Sequence, residues 1–284
     1  MRTVYLNGDY VAEQDAKVSI FDRGFMFGDG IYEVTAVIDG QLIDFPGHMQ
    51  RLRRSLGEIG MTMPLDEDGL ARIHHHLIED NALREGLVYL QVTRGTQDRN
   101  FLYPSTDTPQ TLVLYTQAKA VIDSPLAKRG LTLISVPDLR WQRSDIKTTQ
   151  LLYACMAKEM AKAEGADDAW LVRDGAVTEG SSNNAFIVTR DGAVVTRELS
   201  RALLPGITRG VLLDLIERDG LRLEERPFTL EEAYAAAEAF VTSSTSFVYP
   251  VVNLDGRAIG NGSPGPITQR LRQRYIDRVH DLIH

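Results

Sequence analysis

The 284-residue sequence predicts a mixed α/β (α+β) fold, on three observations. Asn-Gly and Asp-Gly pairs recur between short apolar runs, the strongest local sign of antiparallel hairpins, because both turn residues must take positive φ. Apolar residues at helical spacing fill stretches between those hairpins. The two patterns alternate without the regular βαβ spacing of a doubly wound parallel sheet.

In chain order, "VYLNGDYV" reads as strand, turn and strand, and "AVIDGQLIDF" repeats the pattern. Residues 46–60 place Met49, Leu52, Leu56 and Ile59 on one helical stripe, and 67–81 form a second helix. The run "YTQAKAVIDSPLAKRG", 115–130, follows a strand, contains no clear element of its own and is the linker candidate. A third helix is predicted over 148–164, starting near Thr148 or Thr149, with Leu151, Cys155 and Met156 sharing a face. The hairpins "WLVRDGAVTEG" and "FIVTRDGAVVT" follow. Val211, Leu212, Leu215 and Ile216 define a helix over 208–219 that Gly220 stops. A short alanine-rich helix over 230–238, the hairpin "VVNLDGRAIG" and a last helix from about Ile267 to the C-terminus complete the set.

The bulk numbers bound the function. With 43% hydrophobic residues the chain can build one large or two medium soluble domains. A net charge of -8, with no basic run beyond Arg51, Arg53 and Arg54, argues against nucleic acid as a partner. No apolar run approaches the ~18 residues of a membrane span. The N-terminal stretch does not read as a signal peptide, and Cys155 is the single cysteine, so a reducing, cytoplasmic setting is expected.

Several familiar motifs fail on inspection. "FGDGIYE" has two glycines at dinucleotide-loop spacing but no third, and a strand follows instead of a helix. His74, His75 and His76 point about 100° apart on a helix and cannot converge on one metal ion. "EGSSNN" lacks the GxSxG of a nucleophile elbow.

Five pieces survive. Lys147 in "SDIKTTQLL" sits just before the predicted helix, where a positive helix end is an unusual place for a cation. It is either a surface lysine or, with its pKa lowered by the helix end and partial burial, a Schiff-base nucleophile. In "LLPGITRG", free N–H groups at Ile207 and Thr208 suit a phosphate, unless Thr208 merely caps the helix. "VTSSTS" ends a strand in five hydroxyls, Thr242 to Ser246, as a donor cluster or a polar turn. Glu179 in "VTEGSSNN" is either a surface glutamate or a partner for a pyridinium nitrogen. Arg94 and Arg99 flank a strand end, where an arginine could clamp a carboxylate. A lysine, a phosphate cup, a nitrogen partner and a carboxylate clamp together are what pyridoxal phosphate needs.

"FDRGFMFGDGIYEV", "RSDIKTTQLL", "VTEGSSNNAF", "LLPGITR" and "VTSSTS" stand in the order and spacing of the fold-type IV pyridoxal-phosphate enzymes, and the sequence most resembles their D-amino-acid aminotransferase branch, from Val4 to about Arg270. The resemblance implies an N-terminal α/β domain over 1–118, a linker over 119–124 and a β-rich C-terminal domain over 125–284, with pyridoxal 5'-phosphate at the domain interface and a homodimer whose active sites the neighbouring subunit completes. It implies that Lys147 carries the cofactor as a Schiff base and shuttles the substrate Cα proton. It also implies that Glu179 binds the pyridine nitrogen and that Arg51, Ile207, Thr208 and Ser244 hold the phosphate. Arg51 lies off the apolar stripe of its helix and by itself reads as solvated. The resemblance further implies that Tyr32, expected on the apolar face of its strand, lines the substrate side, flanked by Ser243 and Thr245.

The implied reaction is transamination between a D-amino acid and a 2-oxo acid. An (R)-selective amine transaminase, a branched-chain aminotransferase and aminodeoxychorismate lyase are alternatives on the same fold. The D-amino-acid enzymes commonly carry Arg-x-His in the carboxylate-binding loop. This chain has Arg99, Asn100 and Phe101, so the arginine remains and the histidine donor does not. Asn183 likewise stands where serine is common.

Overall fold

Four of the five hairpin dipeptides form the turns their chemistry requires: Asn7-Gly8, Asp39-Gly40, Asp174-Gly175 and Asp255-Gly256 all take positive φ, whereas at Asp191-Gly192 only the glycine does, because Val188 pairs with Val194 and leaves a longer loop. A computed structural model describes residues 1–283. His284, at the end of the predicted last helix and C-terminal domain, lies outside the described residues. The chain divides into two units, Met1–Ala120 with Ile146–Gln150, and Val121–Asp145 with Leu151–His284.

The first unit contains β1 (Thr3–Leu6), β2 (Asp9–Ala12), α1 (Arg23–Phe27), β3 (Gly30–Ile38), β4 (Gln41–Leu42), α2 (Phe45–Glu58), α3 (Glu67–Asp80), β5 (Glu85–Thr93) and β6 (Thr111–Ala118). Its strands form one antiparallel sheet in the order β2-β1-β6-β5-β3-β4. Ile31 and Val37 of β3 pack with Met49, Leu52 and Leu56 of α2 and Leu70 and Leu77 of α3 in a continuous core. Strand residues alternate between faces, so Glu33 and Thr35 share the buried side with Ile31. Tyr32 therefore does not lie on the core-facing apolar side, as expected from the sequence. It is half-buried on the opposite face, stacked 5.7 Å from Tyr89, which stacks 4.8 Å from Tyr115.

The three consecutive histidines diverge on α3. His74 is fully buried and donates from Nδ1 to the Leu70 carbonyl at 2.7 Å, whereas His75 and His76 are exposed. Burial pushes the His74 pKa down to about 4. Between the unfolded value, about 6.5, and that lower one the unfolded chain binds a proton that the folded chain refuses, so acidification over this window costs stability, on the order of 3 kcal/mol in full. Melting His74→Leu and the parent protein from pH 7 to pH 4 should show a shallower acid decline in the variant, and parallel curves would refute this.

The second unit contains α4 (Pro125–Arg129), β7 (Leu131–Pro137), α5 (Leu152–Ala163), β8 (Asp168–Arg173), β9 (Ala176–Gly180), β10 (Asn184–Val188), β11 (Val194–Thr196), α6 (Ile207–Arg218), β12 (Leu223–Glu225), α7 (Leu230–Ala235), β13 (Glu238–Ser243), β14 (Phe247–Leu254), β15 (Arg257–Ala258) and α8 (Pro266–Ile283). Its sheet runs β12-β11-β10-β13-β14-β7-β8-β9, with β15 on β14. The contacts β7·β8, β7·β14 and β11·β12 are parallel, so this sheet is mixed. The run 115–130 is not free of structure, because β6 ends within it and α4 lies inside it.

Two helix expectations change. α5 begins at Leu152, not near Thr148. Its buried face is Ala157 and Ala161, packed on Val136, Ala169 and Leu171. Leu152, Cys155, Met156 and Met160, including most of the predicted apolar face, are exposed. The helix predicted over 230–238 stops at Ala235, and Glu238 opens β13 instead. There its carboxylate accepts from the Ile267 and Thr268 amides and caps α8.

Candidate functional site

In the first unit, the residues around Lys147 are extended backbone, not a helix start. The Tyr32 amide donates to the Lys147 carbonyl at 3.0 Å, and the Thr149 amide donates to the Gly30 carbonyl at 3.0 Å. Thr148 thus bridges Ile31, which adds a short antiparallel stub to the start of β3. The positive helix end expected beside Lys147 is not there: such a field falls off within a turn, and α5 starts five residues later. What positions the amine is the Tyr32 ring: Lys147 Nζ stands 4.2 Å from its centroid. The Lys147 amide also faces Ser55 Oγ of α2 at 3.4 Å.

Ser55 belongs to the same helix face as Arg51 and His48. Arg51 is 6% exposed, contrary to its reading as a solvated residue. Its Nε and Nη2 form a two-pronged pair with Glu33, each at 2.7 Å, and His48 Nδ1 donates to Glu33 Oε2 at 2.7 Å. Burial would raise the Glu33 carboxyl pKa, but the Arg51 guanidinium and the His48 bond hold it well below the usual carboxylate range. Burial pushes the His48 pKa down, so its ring is neutral at pH 7 and donates from Nδ1. Glu33 went unnoticed in the sequence. Its signal was available: a lone acid inside the apolar run "GIYEVTAVI" requires a buried cationic partner.

Arg99 and Phe101 also lie in the first unit, in the exposed loop after β5. The Arg99 guanidinium sits 5.7 Å from the Phe27 ring centroid and 5.2 Å from that of Phe101, and those rings are 5.7 Å apart. Phe101 thus helps to frame the arginine. Arg94 is no clamp candidate: it is buried and committed to Asp29, the Ile59 carbonyl and the Tyr103 ring.

In the second unit, Glu179 is buried at the end of β9. Arg140 Nη1 donates to its Oε1 at 2.5 Å, Asn184 Nδ2 donates to Oε2 at 3.1 Å, and the Leu204 amide reaches both oxygens at 3.2 Å. Arg140 is in turn paired with buried Asp138, whose Oδ2 also accepts from Thr178. Burial pushes the Glu179 carboxyl up and Arg140 opposes that push. Arg140 lies in an irregular loop, and no periodicity or motif in "DLRWQRSD" marked it.

Asn184 connects Glu179 to the start of α6. It donates to the Leu204 carbonyl at 2.9 Å, and a Cβ at Gly206 would meet its Oδ1 at 2.1 Å, so the close turn into α6 needs glycine. Gly206 is the N-cap, and no side chain caps the helix. Thr208 therefore does not serve as the cap, and the amides of the first turn, at Ile207 and Thr208, lack a side-chain acceptor there. Asn184 also pairs across strands with Thr242, which leads into the serine-rich turn. Ser243 and Ser246 hydroxyls bond each other at 2.6 Å, Ser244 and Thr245 are half-buried between them, and Thr242 Oγ1 is buried with no hydrogen-bond partner. Asn183 is structural: its Nδ2 donates to Asp168 at 2.8 Å, next to the bond from Ser181.

The structure thus gathers Lys147, Tyr32, Arg51 and Glu33 in one unit, and Glu179, Ile207, Thr208 and the 243–245 turn in the other. Among the described residues, no group of three or more His, Cys, Asp or Glu side chains could hold a metal ion, and no helix is long and apolar enough to cross a membrane.

The family model described as amino-transferase class IV matches residues 30–254. A D-alanine aminotransferase of Bacillus licheniformis is 40% identical over 271 residues, covering 95% of this chain and 94% of that protein. One from Staphylococcus aureus is 37% identical over 282 residues, covering 98% and 99%. A T.th. branched-chain amino acid aminotransferase solved with pyridoxamine 5'-phosphate superposes with a TM-score of 0.88 at 25% identity, covering 97% of this chain and 93% of that one.

Proposed function

The chain belongs to the class IV aminotransferases, and from that premise we propose that it moves an amino group between a D-amino acid, D-alanine being the model donor, and a 2-oxo acid such as 2-oxoglutarate or pyruvate. The observation that carries this reading is near-full-length identity of 40% to a D-alanine aminotransferase, against 25% to a branched-chain enzyme of the same fold. Arg99 supports it as the remaining cation for the substrate carboxylate.

The cofactor is pyridoxal 5'-phosphate, and the side chains fit it. The uncapped amides of Ile207 and Thr208 and the Ser244 hydroxyl suit the phosphate, with Arg51 as its cation. The orphaned Thr242 hydroxyl beside that turn marks a place where polar capacity is left over. Glu179, fixed by bonds from Arg140, Asn184 and the Leu204 amide, would accept a hydrogen bond from the protonated pyridine nitrogen. When bound, the cofactor supplies a carbonyl that condenses with amines and a ring that withdraws electrons. Lys147 Nζ would be the base that takes the proton from the substrate Cα and the acid that delivers it to the carbon on the far side of the amine nitrogen. Tyr32 holds that amine on its ring face, and Ser243 and Thr245 with Arg99 and Phe101 bound the substrate.

The working unit in this proposal is a homodimer, whose subunits complete each other's sites. Exposed apolar side chains support it: Leu152, Met156 and Met160 on α5. Light scattering should return twice the 31.7 kDa chain mass, and a monomer at micromolar concentration would count against it. A cytoplasmic setting suits the exposed thiol of Cys155.

The test is a donor panel. D-alanine with 2-oxoglutarate should yield pyruvate, while L-leucine and (R)-phenylethylamine should be poor donors. Preference for L-leucine would move the protein to the branched-chain activity of its structural neighbour.

A further inference from the structure

The loop with Arg99 is exposed, yet its backbone is tied to a buried charge cluster at the start of the chain. Asp29, just after α1, takes Arg23 Nε at 2.7 Å and Arg94 Nε and Nη2 at 2.9 and 3.0 Å. One carboxylate therefore joins two guanidiniums, and all three side chains are at least nine-tenths buried. Arg23 reaches on from this knot. Its Nη1 donates to the carbonyls of Asn100 at 2.7 Å and Leu102 at 3.2 Å, and to Gln97 Oε1 at 3.3 Å. Arg94 lies 3.6 Å from the centroid of the Tyr103 ring and closes the far end of the loop. Phe27, the last residue of α1, lies under both Arg23, at 4.7 Å, and Arg99, at 5.7 Å.

Arg99 itself makes no ion pair among the described residues, so its place is set by the carbonyls and rings around it. We propose that Arg23, Asp29 and Arg94 form a positioning unit that fixes the 97–103 loop and thereby sets where the Arg99 guanidinium stands for the substrate carboxylate. The inference rests on the reading of Arg99 as that clamp. A guanidinium fork can bind Asp29 with one edge and loop carbonyls with the other, whereas a lysine at position 23 keeps the ion pair but loses the fork. A clamp displaced by about 1 Å weakens binding of the bound carboxylate by one to two orders of magnitude.

Arg23→Lys holoenzyme should show KM for D-alanine raised about tenfold with kcat within about twofold. Trypsin cleavage after Arg99, read by mass spectrometry on the native enzyme, should speed up about tenfold as the loop loosens. Tyr103→Ala, an exposed change, should move both readouts in the same direction and serves where the Arg23 variant does not fold. Arg99→Ala separates the two levels of the argument. If it leaves KM for D-alanine unchanged, the clamp reading fails and this inference with it. If it raises KM while Arg23→Lys and Tyr103→Ala leave KM and cleavage at parent values, the positioning unit alone is overturned. Faster cleavage without a change in KM, with Arg99→Ala defective, overturns it equally.

Discussion

Lys147→Ala should reduce transamination of D-alanine with 2-oxoglutarate on the order of 10⁴-fold while leaving the fold intact. The fold survives because the segment is anchored by its backbone. The Lys147 carbonyl accepts from Tyr32, the Thr149 amide donates to Gly30, and Thr148 is buried against Ile31. None of these uses the lysine side chain, whose described contact is the face of the Tyr32 ring. Removing the amine therefore isolates chemistry from stability, a separation that many active-site substitutions do not offer. The purified parent should be yellow when loaded and the variant should not retain the colour through dialysis. A small primary amine added to the variant should restore part of the rate, because what is lost is a proton carrier. Retention of more than about one hundredth of the parent rate would remove Lys147 from its role.

The sequence made that lysine visible for a reason the structure discards. Helical spacing of Leu152, Met156 and Met160 continued toward Thr148, and nothing local told a helix from an extended stub pairing with a strand over a hundred residues away. Long-range pairing leaves no periodicity. The same limit hid Arg140, whose partner Glu179 is 39 residues distant. Hairpins were legible because an Asn-Gly or Asp-Gly turn is a local steric demand. The α2 and α3 cores were legible because one face packs on a sheet. α5 reversed its faces because alanines suffice against β7 and β8, leaving the larger side chains for another surface. Arg51 shows a different limit. Seen on a helical wheel it is a polar residue beside the apolar stripe. Only the acid at Glu33, placed by the strand's two-residue period on the buried face, makes it a core residue.

That buried pair carries the largest stability effect expected here. Glu33→Leu leaves the Arg51 guanidinium and the His48 ring without their shared acceptor at 0% exposure of the replaced site, and should destabilise the first unit by about 3–5 kcal/mol. In melting temperature this is roughly 10–20 °C for a unit of this size. The pH dependence gives the sign. The folded carboxyl titrates below its unfolded value, so the stability it lends is complete above about pH 4.3 and disappears as pH falls through the lower folded value. At pH 7 the variant is therefore at its full disadvantage, and the gap to the parent should narrow in acid. A triple change, Glu33→Leu with Arg51→Met and His48→Leu, then decides why the charges are there. Apolar replacement of a whole buried cluster is often neutral or stabilising. If the triple variant melts near the parent temperature but binds pyridoxal phosphate more than tenfold more weakly, the cluster exists to hold Arg51 in place for the phosphate. If it melts as low as Glu33→Leu and binds normally once folded, the cluster is structural and Arg51 leaves the binding set.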